Sequence, residues 1–216
     1  MIPVKVLAVR YLANASPALC KGLGAPAGYP SLAMLTTDCD DATYIALDEA
    51  TKAADVQVCY SRSFYAGAAN ASTPHAGEVI GILAGATPGA VRSGMEAALG
   101  ALQRIGFEET MGVPYLAHTV SSAGSFLAKE AGVREGAALA YLIAPPLESM
   151  YAMDAALKAA DVKLCKLYCP PSQTNFGGGI LSGSQSACDA ACAAFAAAVA
   201  EVASKPTGQG ESQHGI

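Results

Sequence analysis

The stretch Lys52-Ala53-Ala54-Asp55-Val56-Gln57-Val58-Cys59 returns 106 positions later as Lys158-Ala159-Ala160-Asp161-Val162-Lys163-Leu164-Cys165, with six of the eight residues identical. Asp48 and Asp154 stand four residues ahead of the shared lysines. Downstream, the glycine-rich segment 77–85 corresponds to 177–183; upstream, Leu7-Ala8 and Ser16 pair with Leu116-Ala117 and Ser125. Self-similarity at one long spacing marks a duplicated folding unit. The chain therefore divides into two like domains, 1–107 and 108–206, followed by a polar tail, 207–216, expected to be disordered. Two like halves suit symmetric assembly better than an asymmetric reaction centre.

Composition narrows the classes. Charged residues make up 14% of the chain and hydrophobic ones 52%, much of it Ala. An average soluble protein is roughly 25% charged, so much of this surface is expected to lie against other subunits. A net charge of −5, no Trp and no basic run argue against nucleic acid as a partner. No uninterrupted run of some 18 apolar residues suggests a membrane span. The N-terminus enters a strand-like pattern directly, without a signal-peptide shape, so a cytosolic address is expected. Seven cysteines are an odd number without paired zinc spacing, which favours structural thiols over metal ligands or disulfides. Cys59 and Cys165 share a repeat position at a strand end and are expected to be small buried hydrophobes.

Each half reads as strand, helix, strand, helix, strand, hairpin strand, helix. The first half has strands at 4–11, 31–36, 56–60 and 78–84, a short helix opened by Ser16-Pro17, and helices at 42–54 and 89–104. The second has strands at 115–120, 139–144, 162–168 and 179–182, and helices at 125–131, 150–160 and 186–204. The segment 61–75 is a loop rich in small residues, longer by about eight residues than its counterpart, because the repeat spacing falls from 106 before it to 98 after it. Elements in this order imply an α/β (α+β) fold, each half a mostly antiparallel sheet with helices on one face.

The helix–strand text Met153-Asp154-Ala155-Ala156-Leu157-Lys158-Ala159-Ala160-Asp161-Val162, with Gly183-Ser184-Gln185-Ser186-Ala187-Cys188 after it, resembles the signature of bacterial microcompartment (BMC) shell domains. Asp38-Cys39-Asp40-Asp41-Ala42-Thr43-Tyr44, Tyr65-Ala66-Gly67-Ala68, Ala144-Pro145-Pro146-Leu147-Glu148 and Pro170-Pro171-Ser172-Gln173-Thr174-Asn175 resemble the ethanolamine-utilization branch of the tandem-domain shell proteins. The resemblance implies two circularly permuted, ferredoxin-like BMC domains, the closing strand of each moved to its start. It implies a homotrimer that mimics a hexagonal tile and packs with other shell proteins around a microcompartment in the cytoplasm. No catalytic residue and no cofactor are expected. Cobalamin is a further partner that the resemblance admits, although no local motif marks a place for it. The rival readings are a small-molecule-binding regulatory trimer and a shell protein of a related compartment with another substrate.

Asp38, Asp40 and Asp41 are the densest acidic cluster. Carboxylates lining a narrow channel would attract a small cation such as ethanolammonium; equally, Asp40 or Asp41 could cap a helix beginning at Ala42. The resemblance implies a small pore within each subunit lined by Asp40, Glu78, Phe107 and Thr174, and the acidic cluster adds Asp41 as a candidate beside them. It implies a gate on the central channel from Phe64 and Tyr65 in one half and Asn175, Phe176 and Gly177 in the other, where aromatics sit among flexible small residues. Lys52 and Lys158 fall at the family's tile edge; their plain reading is an i,i+4 pair with Asp48 or Asp154. The run Gly177-Gly178-Gly179 lacks the lysine of a phosphate loop. His75 and His118 have no ligand or nucleophile spacing, and no metal site is expected.

Overall fold

The structure, a computed structural model, describes residues 1–64, 78–170, 172 and 174–207. In the first half, β1 (Val6–Leu12), α1 (Pro17–Gly22), β2 (Ser31–Thr37), α2 (Asp40–Ala53), β3 (Val56–Phe64), β4 (Glu78–Gly85) and α3 (Pro88–Leu102) follow one another. The second half runs β5 (Glu108–Thr110), β6 (Val113–Val120), α4 (Ser125–Ala131), β7 (Ala138–Ala144), α5 (Pro146–Ala159), β8 (Val162–Tyr168), β9 (Gly177–Gly183) and α6 (Gln185–Ser204). The strand orders are β1-β2-β4-β3 and β5-β6-β7-β9-β8, with every pairing antiparallel. Apart from the short β5, the two sheets are the same sheet built twice.

The repetition reaches irregular detail. The β3–β4 ladder slips between Val58 and Tyr60, and the β8–β9 ladder slips between Leu164 and Lys166. The residue at each bulge is therefore the repeated cysteine, Cys59 or Cys165. Each is half-buried, rather than the buried strand-end residue that its sequence position suggested, because a bulge takes its residue out of the regular alternation. The upstream alignment also shifts by one: Ala8 pairs with Thr36 as Leu116 pairs with Ile143, so Ala8 and Leu116 are the equivalent positions.

Local signals place most ends. Thr87 and Ser184 accept from the amides of Ala90 and Ala187, opening α3 and α6. The helix α5 begins at Pro146 instead of 150, since proline is at home in a first turn. The helix α2 begins at Asp40 instead of Ala42, with Cys39 at its cap and no side-chain capping bond. Asp40 and Asp41 thus lie inside the first turn, where acidic groups complement the helix dipole. The strand β3 runs on to Phe64, so residues 61–64, expected in a loop, are paired. Tyr65, His75 and the rest of 65–77 lie outside the described residues, as do Gln173 and the tail from 208.

In each half the two long helices cover one sheet face and the short helix lies over the other. Ala33, Leu35 and Leu83 join the cluster under α2 and α3, whereas Leu32, Ile82 and Ala84 cluster with Cys20 and Leu23 near α1. In the second half, Ala140, Leu142 and Leu181 face α5 and α6, while Leu139, Tyr141 and Ile143 cluster with Leu127 of α4. The last group belongs to one continuous core with α2 and α3, so the first half's helical layer packs against the α4 side of the second half. By length and composition alone α6 is apolar enough to cross a membrane, which the sequence reading had not expected. Its residues Cys188, Ala191, Cys192, Phe195 and Val199 are buried in the second half's core.

One carboxylate ties the halves together. Asp48 of α2 is fully buried, and its oxygens accept from the Gly124 and Leu127 amides at 2.7 and 2.8 Å, capping α4 from the other half. Lys52 Nζ lies 3.8 Å from that carboxylate, is paired with Glu49, and donates to the Ser122 carbonyl at 3.0 Å. A β-carbon on residue 124 would stand 2.4 Å from Thr51 Oγ1 and 2.8 Å from the Asp48 carbonyl, so only glycine permits this approach. We expect Asp48→Ala to destabilise the fold by about 2–4 kcal/mol, because two buried amides lose a charged acceptor. Urea unfolding followed by circular dichroism measures it; a loss below about 1 kcal/mol would show that the cap is dispensable.

Candidate functional site

A cavity of about 510 Å³ lies between the halves. Its walls come from the first turn of α2, the end of β3, the sheet face of β7, the helix α4, β8 and the segment before β9. Two of the acids singled out by sequence, Asp40 and Asp41, line it, as do Thr174 and Phe176. Asp38 turns elsewhere: its carboxylate accepts the Lys5 amide at 2.8 Å and holds the chain ahead of β1.

The other expected pore and gate residues are placed as follows. Phe107 is buried behind Phe176, the ring centroids 5.8 Å apart. Glu78 is half-buried at the start of β4, paired in register with Phe64, and is not in the cavity wall. Phe64 is exposed. Asn175 is exposed with φ of 71°, a left-handed conformation that Asn tolerates better than most residues. Gly177 is a sheet residue paired with Ala144. The glycine run it opens has a packing explanation: a β-carbon on Gly178 would meet the Leu142 carbonyl at 1.9 Å, and one on Gly179 the Lys166 carbonyl at 2.3 Å.

Asp41 receives the Tyr141 hydroxyl at 2.9 Å from across the junction. Tyr44 and Ser63 hydrogen-bond each other beside Asp40. On the far wall Lys166 pairs with Glu130, which also receives the Tyr168 hydroxyl at 3.3 Å. Arg62, a cation at the cavity wall, is exposed. Sequence reasoning did not find Tyr44, Ser63, Glu130, Tyr141, Lys166 or Tyr168. One signal was available: Tyr141 is the single hydroxyl in the wholly buried strand Ala138–Ala144, and a buried tyrosine hydroxyl needs a partner.

Burial governs the electrostatics. It pushes the Asp40 carboxyl above the usual range, against the pull of Ser63 and the 40 and 41 amides. Asp41 is pushed well above, first by burial and then by the charge of Asp40, with the Tyr141 hydroxyl pulling it down. Tyr141 is itself raised by burial and by the Asp41 charge. Two adjacent carboxylates in a partly dry chamber hold protons more tightly than free aspartates and gain from a cation placed between them. Among the described residues no group of three or more His, Cys, Asp and Glu side chains is arranged to hold a metal ion. Half-buried His118 stands in β6, burial lowering its pKa.

A BMC domain model matches residues 31–114, beginning at β2 and leaving β1 outside. The chain is 58% identical over 212 residues to the bacterial microcompartment shell protein EutL of Clostridium perfringens, covering 96% of this chain and 98% of that one. It belongs to the EutL family of bacterial microcompartment shell proteins. The Escherichia coli EutL shell protein is 45% identical over 210 residues, 95% of this chain and 96% of that one. The crystal structure of the ethanolamine utilization protein EutL from Leptotrichia buccalis superposes with a TM-score of 0.90 at 55% identity, covering 96% of this chain and 98% of that one. The molecule is thus a structural shell component of the ethanolamine-utilization type and not an enzyme, and its place is the microcompartment shell within the cytoplasm.

The raised carboxyl pKa values of this shell protein carry a sign. An aspartate whose folded pKa lies above its unfolded value, ~3.9, binds more protons when folded, so stability falls as pH rises through that window. Asp41→Asn removes one charge, relieves Asp40 and keeps an acceptor for Tyr141. Urea midpoints of the Asn variant, measured from about pH 4 upward, should decline less than those of the wild type. Parallel profiles would mean that the pair is ordinary in solution.

Proposed function

We propose that the chain assembles as a trimer whose six BMC units, 1–107 and 108–206 in each copy, form a hexagon-shaped tile, and that the chamber beside Asp40 and Asp41 binds and passes a small organic cation, ethanolammonium in the first instance. The observation that carries this reading is the chamber itself: two buried carboxylates and several hydroxyls face one space at the junction of the halves. An ammonium group suits the two carboxylates, and a hydroxyl suits Thr174, Ser63 or Tyr44. No base, nucleophile and orienting third group converge there, which favours a filter over a reaction centre.

Phe64 and the segment Asn175–Phe176, with Tyr65 beyond the described residues, are proposed as parts of a gate. Its support is an exposed aromatic at one strand end and a left-handed Asn beside the half-buried Phe176 ring at the other. Lys158, exposed and paired with Asp154 at 2.7 Å, is proposed for the outer rim where tiles meet, together with the part of Lys52 that its in-chain bonds leave exposed.

Titration calorimetry with ethanolamine hydrochloride tests the chamber. Asp40→Asn should weaken binding by about tenfold or more, the equivalent of ~1.4 kcal/mol. Binding should also fade as pH drops through the raised carboxyl range, since the protonated pair offers no charge. Equal affinity in wild type and variant would remove the chamber from the proposal.

A further inference from the structure

The two walls of the chamber carry different arrangements of charge. Asp40 and Asp41 stand on the inner wall, in the first turn of α2. On the far wall Glu130 of α4 and Lys166 of β8 are paired with each other, and their side chains are 38% and 40% exposed. One row of contacts joins the walls. Tyr141 donates to Asp41 at 2.9 Å, its ring centre lies 6.3 Å from that of Tyr168, and the Tyr168 hydroxyl donates to Glu130 at 3.3 Å. Lys166 Nζ sits 5.5 Å from the centre of the Tyr168 ring. Lys166 and Tyr168 are two apart on one strand and so share its chamber side. Charge is felt across this row: burial raises the Tyr168 hydroxyl most, and the charges of Glu130 and then Asp41 raise it further.

We infer that Lys166 is a specificity-determining residue of the chamber, a tethered ammonium that competes with the passing cation for the chamber's acids, and that Glu130 is the outer station where the two exchange. The inference rests on the proposed passage of a small organic cation and deepens it by naming what keeps that cation from staying.

Space, charge and exposure support the exchange. A cavity of about 510 Å³ falls in the range that encloses drug-sized molecules, so an amino alcohol fills only part of it and has room for an inner and an outer position. Glu130 and Lys166 cancel each other, which leaves the chamber's charge to Asp40 and Asp41. Arg62, the other basic residue of the wall, is exposed, where solvent and salt screen it. An ion pair as open as Glu130–Lys166 is weakly held, so a second ammonium displaces Lys166 from Glu130 without stranding a buried charge. A passage also needs binding strong enough to admit its solute and weak enough to release it. Two adjacent carboxylates alone favour retention, and a lysine ammonium on the opposite wall lowers it.

Titration calorimetry of the full chain with ethanolamine hydrochloride at low salt tests the inference, with circular dichroism confirming that each variant is folded. Lys166→Met should bind about fivefold tighter than the wild type, because the repulsion is gone and Glu130 is freed. Glu130→Gln should bind about fivefold weaker, and the double variant should return near the wild type, the far wall being neutral again. Lys166→Arg keeps the charge and should match the wild type. Added salt should shrink the gain of Lys166→Met, as it would not shrink a change in packing. A Lys166→Met variant that binds no tighter than the wild type, a Lys166→Arg variant that gains as much, or a double variant that keeps either single effect overturns the inference. The proposed passage still stands in those cases if Asp40→Asn weakens binding. A wild type that binds no ethanolammonium, or an Asp40→Asn variant that binds it equally well, overturns the passage and this inference with it.

Discussion

The Asp48 carboxylate, buried between α2 and α4, is the contact on which the rest of the molecule depends. A buried charge is costly unless its oxygens are occupied, and here two amides of the other half occupy them with Lys52 close by. The bond does more than hold two units together. Asp41 stands seven residues earlier on the same helix and face, so anchoring Asp48 to α4 aims the first turn of α2 at β7. Tyr141 can then reach Asp41. Gly124 is part of the same device, because any larger residue there would push the helices apart.

Duplication gave two copies of one scaffold, and their docking made them unequal. The sheets share strand order, and the bulges at Cys59 and Cys165 fall at the same place. What differs is which surfaces are covered. Asp48 and Asp154 are the same residue in the repeat, yet one is a buried cap and the other an exposed partner of Lys158. The acidic chamber arises only where the first half's helix meets the second half's sheet, since the second copy carries Pro146 and Leu147 in place of the acids. The duplicated scaffold thus carries an acidic chamber at the junction inside the chain, while the equivalent α5 face presents Leu147 and Tyr151 at the surface.

Much of this was legible in the linear text. The repeat disclosed two units, and alternation and capping residues placed most elements within a few residues; of the pore residues expected from the acidic cluster and the family resemblance, Asp40, Asp41 and Thr174 meet in one cavity, whereas Glu78 and Phe107 are not in its wall. The misses have local causes. Pro146 was passed over although proline suits a first helical turn, and the acids 40 and 41 were weighed as caps when they lie inside α2. Lys52, read both as an edge residue and as an i,i+4 partner of Asp48, lies 3.8 Å from Asp48 and also reaches Glu49 and the Ser122 carbonyl, a bond to the other half that spacing alone could not show. The glycine run 177–179 is a matter of strand packing.

The sequence alone determined the periodicities, the caps and the twofold plan, because these depend on residues a few positions apart or on likeness between segments. Only the tertiary structure decided which face of which helix is buried, that Tyr141 answers Asp41 across 100 residues of chain, and that Lys166 and Glu130 close the far wall. Those outcomes depend on the fit of two assembled surfaces. Such a fit is governed by shape, by desolvation and by the pairing of buried polar groups, none of which leaves a periodic trace in the order of the amino acids.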